Sequence, residues 1–181
     1  MEDLTIDSFA YLRLPLVMAG IGFLLGCVGA IRSKKVDSSF RSYLAAALMM
    51  VIFFEAARLA MVRFDPLLSS RDFARVILSS PPGEIILDHN YYWFSSVPFY
   101  TDRPVLLLNG RWQNLEYGSN APNTPDVFID DSRLKRMWFD SQRYYLIARA
   151  DQLPRFDQLF GSNGFRIMAR TGVKVLLTNT H

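Results

Sequence analysis

Two long apolar runs dominate the first third of the chain. Residues 14–31 carry no charged side chain over 18 positions, and residues 43–62 run for 20 positions interrupted only by Glu55 and Arg58. At a helical rise of about 1.5 Å per residue these runs reach about 27 and 30 Å, close to the hydrocarbon thickness of a bilayer. A core helix of a soluble bundle shows a polar stripe, and neither run has one of useful width. They are read as two transmembrane spans, forming a helical hairpin within residues 1–66 that Pro66 is expected to end.

Beyond this point the pattern becomes short-period. Ser70 followed by RDFARVIL predicts an N-capped amphipathic helix that stops before Pro81-Pro82-Gly83. EIILD (Glu84–Asp88) is a short apolar strand, and the aromatic stretch YYWFSSVPFY follows as a short helix or loop. A buried strand over 104–108 leads to a turn at Asn109-Gly110 and then irregular polar chain, with 118–125 (GSNAPNTP) a loop. Residues 127–129 are a brief apolar piece, and Asp130 and Asp131 sit where acids cap the start of a helix. YYLIA (144–148) is a strand, 151–160 a helix with Pro154 in its first turn, and 165–169 and 173–178 a closing hairpin. Strands and helices alternating in this way, with apolar runs of four to six residues, predict an α/β domain over 67–181. Its sheet is expected to be mostly parallel, with an antiparallel hairpin at the C-terminal edge.

Charge adds an orientation. The segment between the spans, residues 32–41, holds four bases against one acid, and short basic loops stay cytoplasmic. Both ends of the hairpin then lie outside, so domain 67–181 is expected to be extracytoplasmic, although Arg63, Arg71 and Arg75 reduce the contrast. A secretory signal fits poorly, because the first span is preceded by Met1-Glu2-Asp3 and carries only Arg13 as a base. Cys27 is the only cysteine, which excludes an intrachain disulfide and a thiolate metal cluster. Leu24-Leu25-Gly26-Cys27 resembles a lipoprotein cleavage site, but the apolar run continues through Ile31. The net charge of +3 comes from dispersed bases or bases beside the spans, and no nucleic-acid footprint is present.

Candidate chemistry is sparse. His89 follows Asp88 at a strand's C-terminal end, where α/β folds place ligands, and Ser95 and Ser96 come soon after. No G-x-S-x-G elbow presents either serine, no glycine loop cradles phosphate, and Asp130 and Asp131 lack a third metal ligand of suitable spacing. No catalytic residue, metal or cofactor is expected. The stretch from Tyr91 to Gly118 is different, holding eight of the chain's 25 aromatic residues. Tyr100, Arg103, Arg111, Glu116 and Tyr117 offer aromatic faces and charges suited to a sugar or a phosphorylated lipid headgroup. Equally, the aromatics can form a seat against the membrane. Glu55 and Arg58 share a helix face, and Arg58 either pairs with Glu55 or meets an anionic lipid phosphate.

Several pieces carry a family resemblance: DSFAYLRLP at 7–15, YYWFSSVPFYTDRPVLLLNGRWQNLEYGS at 91–119, APNTPDVFIDD at 121–131 and GVKVLLTN at 172–179. With the two spans, these resemble the C-terminal part of bacterial GT-C membrane glycosyltransferases of family 39, akin to the protein O-mannosyltransferases and the lipid A aminoarabinose transferase. The resemblance implies a membrane enzyme that moves a sugar from a polyprenyl-phosphate carrier to an acceptor on the extracytoplasmic side. It also implies that the catalytic acid lies in a region with no counterpart in this chain. The chain alone is therefore expected to be inactive, its soluble domain capping a lipid-sugar site built by a polytopic partner or a missing N-terminal part. The alternative is a membrane-anchored extracytoplasmic module that binds a carbohydrate, lipid or protein without catalysis.

Overall fold

The computed structural model describes residues 10, 12–35, 39–161 and 163–179; His181, residues 36–38 and most of the polar N-terminal segment lie outside the described residues. The chain divides into two compact units, Met1–Asp65 and Pro66–His181.

The first unit is a pair of helices, α1 (Arg13–Lys35) and α2 (Ser39–Leu68). Both are long and apolar enough to cross a membrane, and only 17% and 6% of their most apolar windows are buried. That exposure of apolar surface distinguishes them from core helices of a soluble bundle. Contrary to the expected stop, α2 runs through Pro66 to Leu68. A proline this close to a helix end removes one backbone donor where only two helical residues follow, so the helix tolerates it.

The helices meet along a seam of small residues. Gly22 and Gly26 of α1 are buried, and so is Ala56 of α2. A Cβ at Gly22 would lie 2.7 Å from Ile52 Cγ2, one at Gly26 2.6 Å from Met49 Cβ, and one at Gly29 3.0 Å from Ala45 Cβ. Glycine thus allows the antiparallel helices to approach closely, the usual device where helices associate without a hydrophobic drive between them. Phe23 packs edge-on to Phe53 with centroids 5.6 Å apart beside this seam. Gly26→Leu should lower the stability of the hairpin by about 1–3 kcal/mol through overpacking. Gly20→Leu, at a position with no neighbour within 4 Å, should be close to neutral. Thermal melts of the detergent-solubilised chain, followed by circular dichroism, distinguish the two.

The second unit is a three-layer α/β/α domain. Its strands are β1 (Glu84–Asp88), β2 (Val105–Leu108), β3 (Phe128–Ile129), β4 (Tyr144–Arg149), β5 (Arg166–Thr171) and β6 (Lys174–Thr178). They form one sheet in the order β3-β2-β1-β4-β6-β5. The first four are parallel, while β6 is antiparallel to both β4 and β5, so the sheet is mixed with its antiparallel hairpin at one edge. Helices α3 (Arg71–Leu78), α4 (Tyr91–Phe94), α5 (Ser96–Thr101), α6 (Asn114–Gly118), α7 (Asp131–Trp138) and α8 (Leu153–Phe160) complete it.

Alternation along the strands decides which helix covers which face. Ile85 and Leu87 of β1 and Tyr145 and Ile147 of β4 pack with Phe73, Ile77, Phe94 and Val97 from α3, α4 and α5. The intervening residues Ile86, Leu146 and Ala148 pack on the other face against Leu134, Trp138, Phe156 and Phe160 of α7 and α8. Each fully buried large apolar side chain contributes about 1.5–3 kcal/mol relative to exposure. Two local expectations change. Ser70 makes no side-chain cap on α3; its hydroxyl turns inward to donate to the Trp93 carbonyl at 3.4 Å, while its N–H donates to Ser96 Oγ at 2.8 Å. The chain after Asn109-Gly110 is not wholly irregular, since residues 114–118 form α6.

Candidate functional site

Strand order places a topological switch point between β1 and β4. The connection from β1 to β2 runs through α4 and α5 on one face, and that from β3 to β4 runs through α7 on the other. In such sheets the loops leaving the C-terminal ends of the two central strands part and open a crevice. Here those loops begin at His89 and Ala150.

Asp88, the last residue of β1, is only 3% exposed. Period-two alternation puts its side chain on the face of Ile86, toward α7 and α8. Arg155, in the first turn of α8, donates from Nη1 to Asp88 Oδ1 at 3.0 Å and from Nε to Asp131 Oδ2 at 3.1 Å, with a further bond from Nη2 to Asp131 Oδ1. Asp131, the first residue of α7, also accepts from Asn109 Nδ2 at 3.0 Å at the end of β2. One guanidinium thus ties together the ends of β1 and β2 and the starts of α7 and α8. Burial pushes the Asp88 carboxyl above the ordinary carboxylate range, against the pull of Arg155 and His89. Asp131, more open, is held below that range by its hydrogen bond from Arg155. Burial would lower the Arg155 pKa, but the hydrogen bond to Asp131 and the charge of Asp88 outweigh it and raise it.

The same edge carries backbone in the left-handed region at His89 (φ 62°), Asn109 (φ 51°) and Gln113 (φ 51°). Non-glycine residues occupy this conformation at some cost, and such positions gather where a fold aims side chains. His89 is half exposed, its Nδ1 3.5 Å from Asp88 Oδ1. The two serines that follow it make local contacts instead: Ser95 Oγ donates to the Tyr92 carbonyl at 3.3 Å and Ser96 Oγ accepts from Ser70 N at 2.8 Å. No hydrolytic triad forms from them. Across the crevice, Arg149 pairs with Asp151 at 3.1 Å and stacks over Trp93 at 5.2 Å, and the buried Lys174 donates to the Trp93 carbonyl at 3.2 Å.

Asp130 is the capping residue of α7, its carboxylate accepting from Arg133 N at 2.7 Å. No group of three or more His, Cys, Asp or Glu side chains suited to a metal occurs among the described residues.

The residues singled out from sequence are dispersed. Arg58, in the first unit, pairs with Glu55 at 3.1 Å, both side chains exposed. Arg103 precedes β2 and Arg111 follows it, so the strand itself, roughly 10 Å long, stands between them. Arg111 lies over the Phe128 ring at 5.1 Å, and Glu116 and Tyr117 are exposed on α6, Tyr117 to 85%. Arg111, Glu116 and Tyr117 thus belong to the C-terminal edge of the parallel strands, with Arg155 and Asp131. Tyr100 belongs to a separate open groove of about 630 Å³, lined also by Ser69, Tyr91, Ser95, Ser96, Pro98 and Phe99. The Arg155 cluster was not foreseen; the one signal for it was the position of Asp88 and His89 at a strand end.

No protein-family model and no curated protein matches the chain. Two solved structures do: the crystal structure of ArnT from Cupriavidus metallidurans in the apo state, with a TM-score of 0.74 and 17% identity over 99% of this chain, and the same protein bound to undecaprenyl phosphate, with a TM-score of 0.72 and 18% identity over 98% of this chain. The chain spans 32% of the length of those structures. It has the fold of that portion, both helices and the α/β domain included.

Proposed function

We propose that this chain is the C-terminal portion of a membrane glycosyltransferase that uses a polyprenyl-phosphate sugar, of the kind represented by ArnT. The observation that carries the proposal is likeness over essentially the whole chain to a protein solved with undecaprenyl phosphate. That likeness takes in two apolar helices followed by an α/β domain, in one order. The resemblance of the sequence to GT-C family 39 enzymes points the same way.

In this reading domain 67–181 is extracytoplasmic and caps a lipid-sugar site whose catalytic core is built by spans outside this chain. Arg111, Glu116 and Tyr117 offer one set of contacts at the C-terminal edge of the strands, and Arg58 another within the spans. Arg103 and Tyr100 would act from other surfaces. The domain suits support rather than chemistry, because the acids of its switch-point crevice are tied to Arg155 and Arg149.

The purified chain, given a polyprenyl-phosphate sugar and an acceptor, is expected to show no turnover. Co-expressed with the polytopic membrane protein it serves, it should co-purify with that protein and raise its turnover. Turnover by the chain alone would overturn the supporting role. Failure to co-purify with any polytopic protein would favour a membrane-anchored binding module instead.

A further inference from the structure

We propose that the groove formed by Ser69, Tyr91, Ser95, Ser96, Phe99 and Tyr100 binds a neutral saccharide. This groove lies wholly within the α/β domain, and what it binds is independent of the transferase reading.

Size and charge narrow the ligand first. At about 630 Å³ the groove falls within the range of about 300–1,000 Å³ usual for small-molecule sites. Among the described residues no carboxylate, guanidinium or ammonium lines it, so it offers a charged ligand no counter-ion. Aromatic rings supply most of its walls. Phe99, 78% exposed, and Tyr100, 44% exposed, stand edge to face with centroids 5.1 Å apart and 83° between their planes, forming a right-angled corner. The Arg71 guanidinium, 5.3 Å from the Tyr100 centroid, holds that ring in place. An aromatic face carries the negative part of the ring quadrupole, which attracts the weakly positive C–H groups on the flat side of a sugar ring.

The serine hydroxyls narrow it further. Ser69 Oγ accepts from Arg71 N at 3.1 Å and Ser96 Oγ accepts from Ser70 N at 2.8 Å, which leaves each a proton to donate. Ser95 Oγ gives its proton to the Tyr92 carbonyl at 3.3 Å and is left with lone pairs, so it can only accept. Donors and an acceptor thus stand together beside the rings. A proline-rich peptide, the other usual occupant of an aromatic-lined groove, brings carbonyls for the donors but no N–H for Ser95. Sugar hydroxyls both donate and accept, and they match both kinds of group at once.

The test uses the full chain in a polyoxyethylene detergent, which carries no sugar of its own. It is titrated with maltotriose, cellotriose, xylotriose or decaproline and read by intrinsic fluorescence and saturation-transfer NMR. Saturable binding of at least one trisaccharide is expected, with saturation passing from ring protons to the sugar C–H protons. Phe99→Ala should weaken that binding about tenfold, as for loss of one stacked ring, and Ser95→Ala about fivefold, as for loss of one hydrogen bond. Phe139→Ala, which removes a comparably exposed ring just after α7, should leave it unchanged. Failure of all three trisaccharides to bind saturably would overturn the site. Decaproline binding as tightly as the best of them would overturn the saccharide assignment in favour of a peptide. Equal loss in the Phe99 and Phe139 variants would reduce the effect to exposed aromatic surface in general and overturn the groove as its seat.

Discussion

Arg155→Leu is expected to destabilise the α/β domain by about 3–5 kcal/mol at neutral pH, because it leaves the buried Asp88 carboxylate without its partner. Asp88 is 2% exposed at its side chain and Arg155 22%, so solvent does little to replace the lost contact. The pH dependence has a definite sign. Asp88 already has a folded pKa above the ordinary value, so its contribution to stability is present at low pH and lost as pH rises through the folded pKa. Removing Arg155 raises that pKa further, and the variant's deficit is then largest at neutral pH. Asp131 behaves oppositely: its depressed pKa contributes stability above the ordinary carboxylate value of about 3.9, lost as pH falls through the folded pKa. The wild type loses that contribution on acidification and the variant never had it. The Asp88 effect shrinks the gap between the two proteins as pH falls from 7 toward 4, and the Asp131 effect shrinks it further below about 4. Urea unfolding of the detergent-solubilised chain, followed by tryptophan fluorescence at several pH values, measures the gap. A gap that widened on acidification would contradict the assignment of Arg155 as the partner of a buried, ionised Asp88. Asp88→Asn in the Arg155→Leu background should recover part of the neutral-pH loss, since the amide carries no charge to bury.

Local signals were enough for most elements of the domain. EIILD pairs along its length as β1, and the apolar runs at 104–108 and 144–148 fall on β2 and β4 within a residue. These segments are buried strands of alternating face, so burial and periodicity coincide. Pro154 sits in the first turn of α8, where the missing N–H costs nothing. The readings that changed were those in which tertiary contacts redirect a side chain. Ser70 has the sequence signature of a cap but spends its hydroxyl on Trp93, 23 residues away. The site was less legible than the fold for the same reason. Arg155 reaches Asp88 across 67 positions and Asp131 across 24, and nothing local in LPRFDQLF distinguishes that arginine from a solvated one. The seam of Gly22, Gly26 and Gly29 was hidden differently: spacings of four and three residues mark a helix face, but only the facing Ile52, Met49 and Ala45 show that the face is occupied. The aromatic stretch, read as a short helix or loop, forms two short helices, α4 and α5. Tyr91, Phe99 and Tyr100 line the groove, whereas Phe94 and Val97 point into the core.

Trp138→Ala should cost a further 3–5 kcal/mol, the usual range for truncating a buried tryptophan. Its indole stacks on Phe160 with centroids 4.5 Å apart at 11°, packs near Tyr144, and donates from Nε1 to the Gly164 carbonyl at 2.8 Å. The consequence extends to the crevice, because of where these residues sit on their helices. Trp138 is the last residue of α7 and Asp131 the first; Phe160 is the last residue of α8, and Arg155 lies in its first turn. Stacking at one end and the ion pair at the other therefore clamp the same two helices. Loosening the aromatic end lets α7 shift on α8 and weakens the geometry on which the Asp131–Arg155 contact depends. Sites joined by shared packing show interaction energies of about 0.5–3 kcal/mol, whereas independent sites add within about 0.5 kcal/mol. Trp138→Ala and Arg155→Leu are accordingly expected to be less than additive, the double variant losing less than the sum of the two single losses by at least about 0.5 kcal/mol. Unfolding midpoints and slopes for the two single variants and the double variant complete the cycle. Strict additivity would mean that the aromatic stack supports the core without positioning the charged cluster.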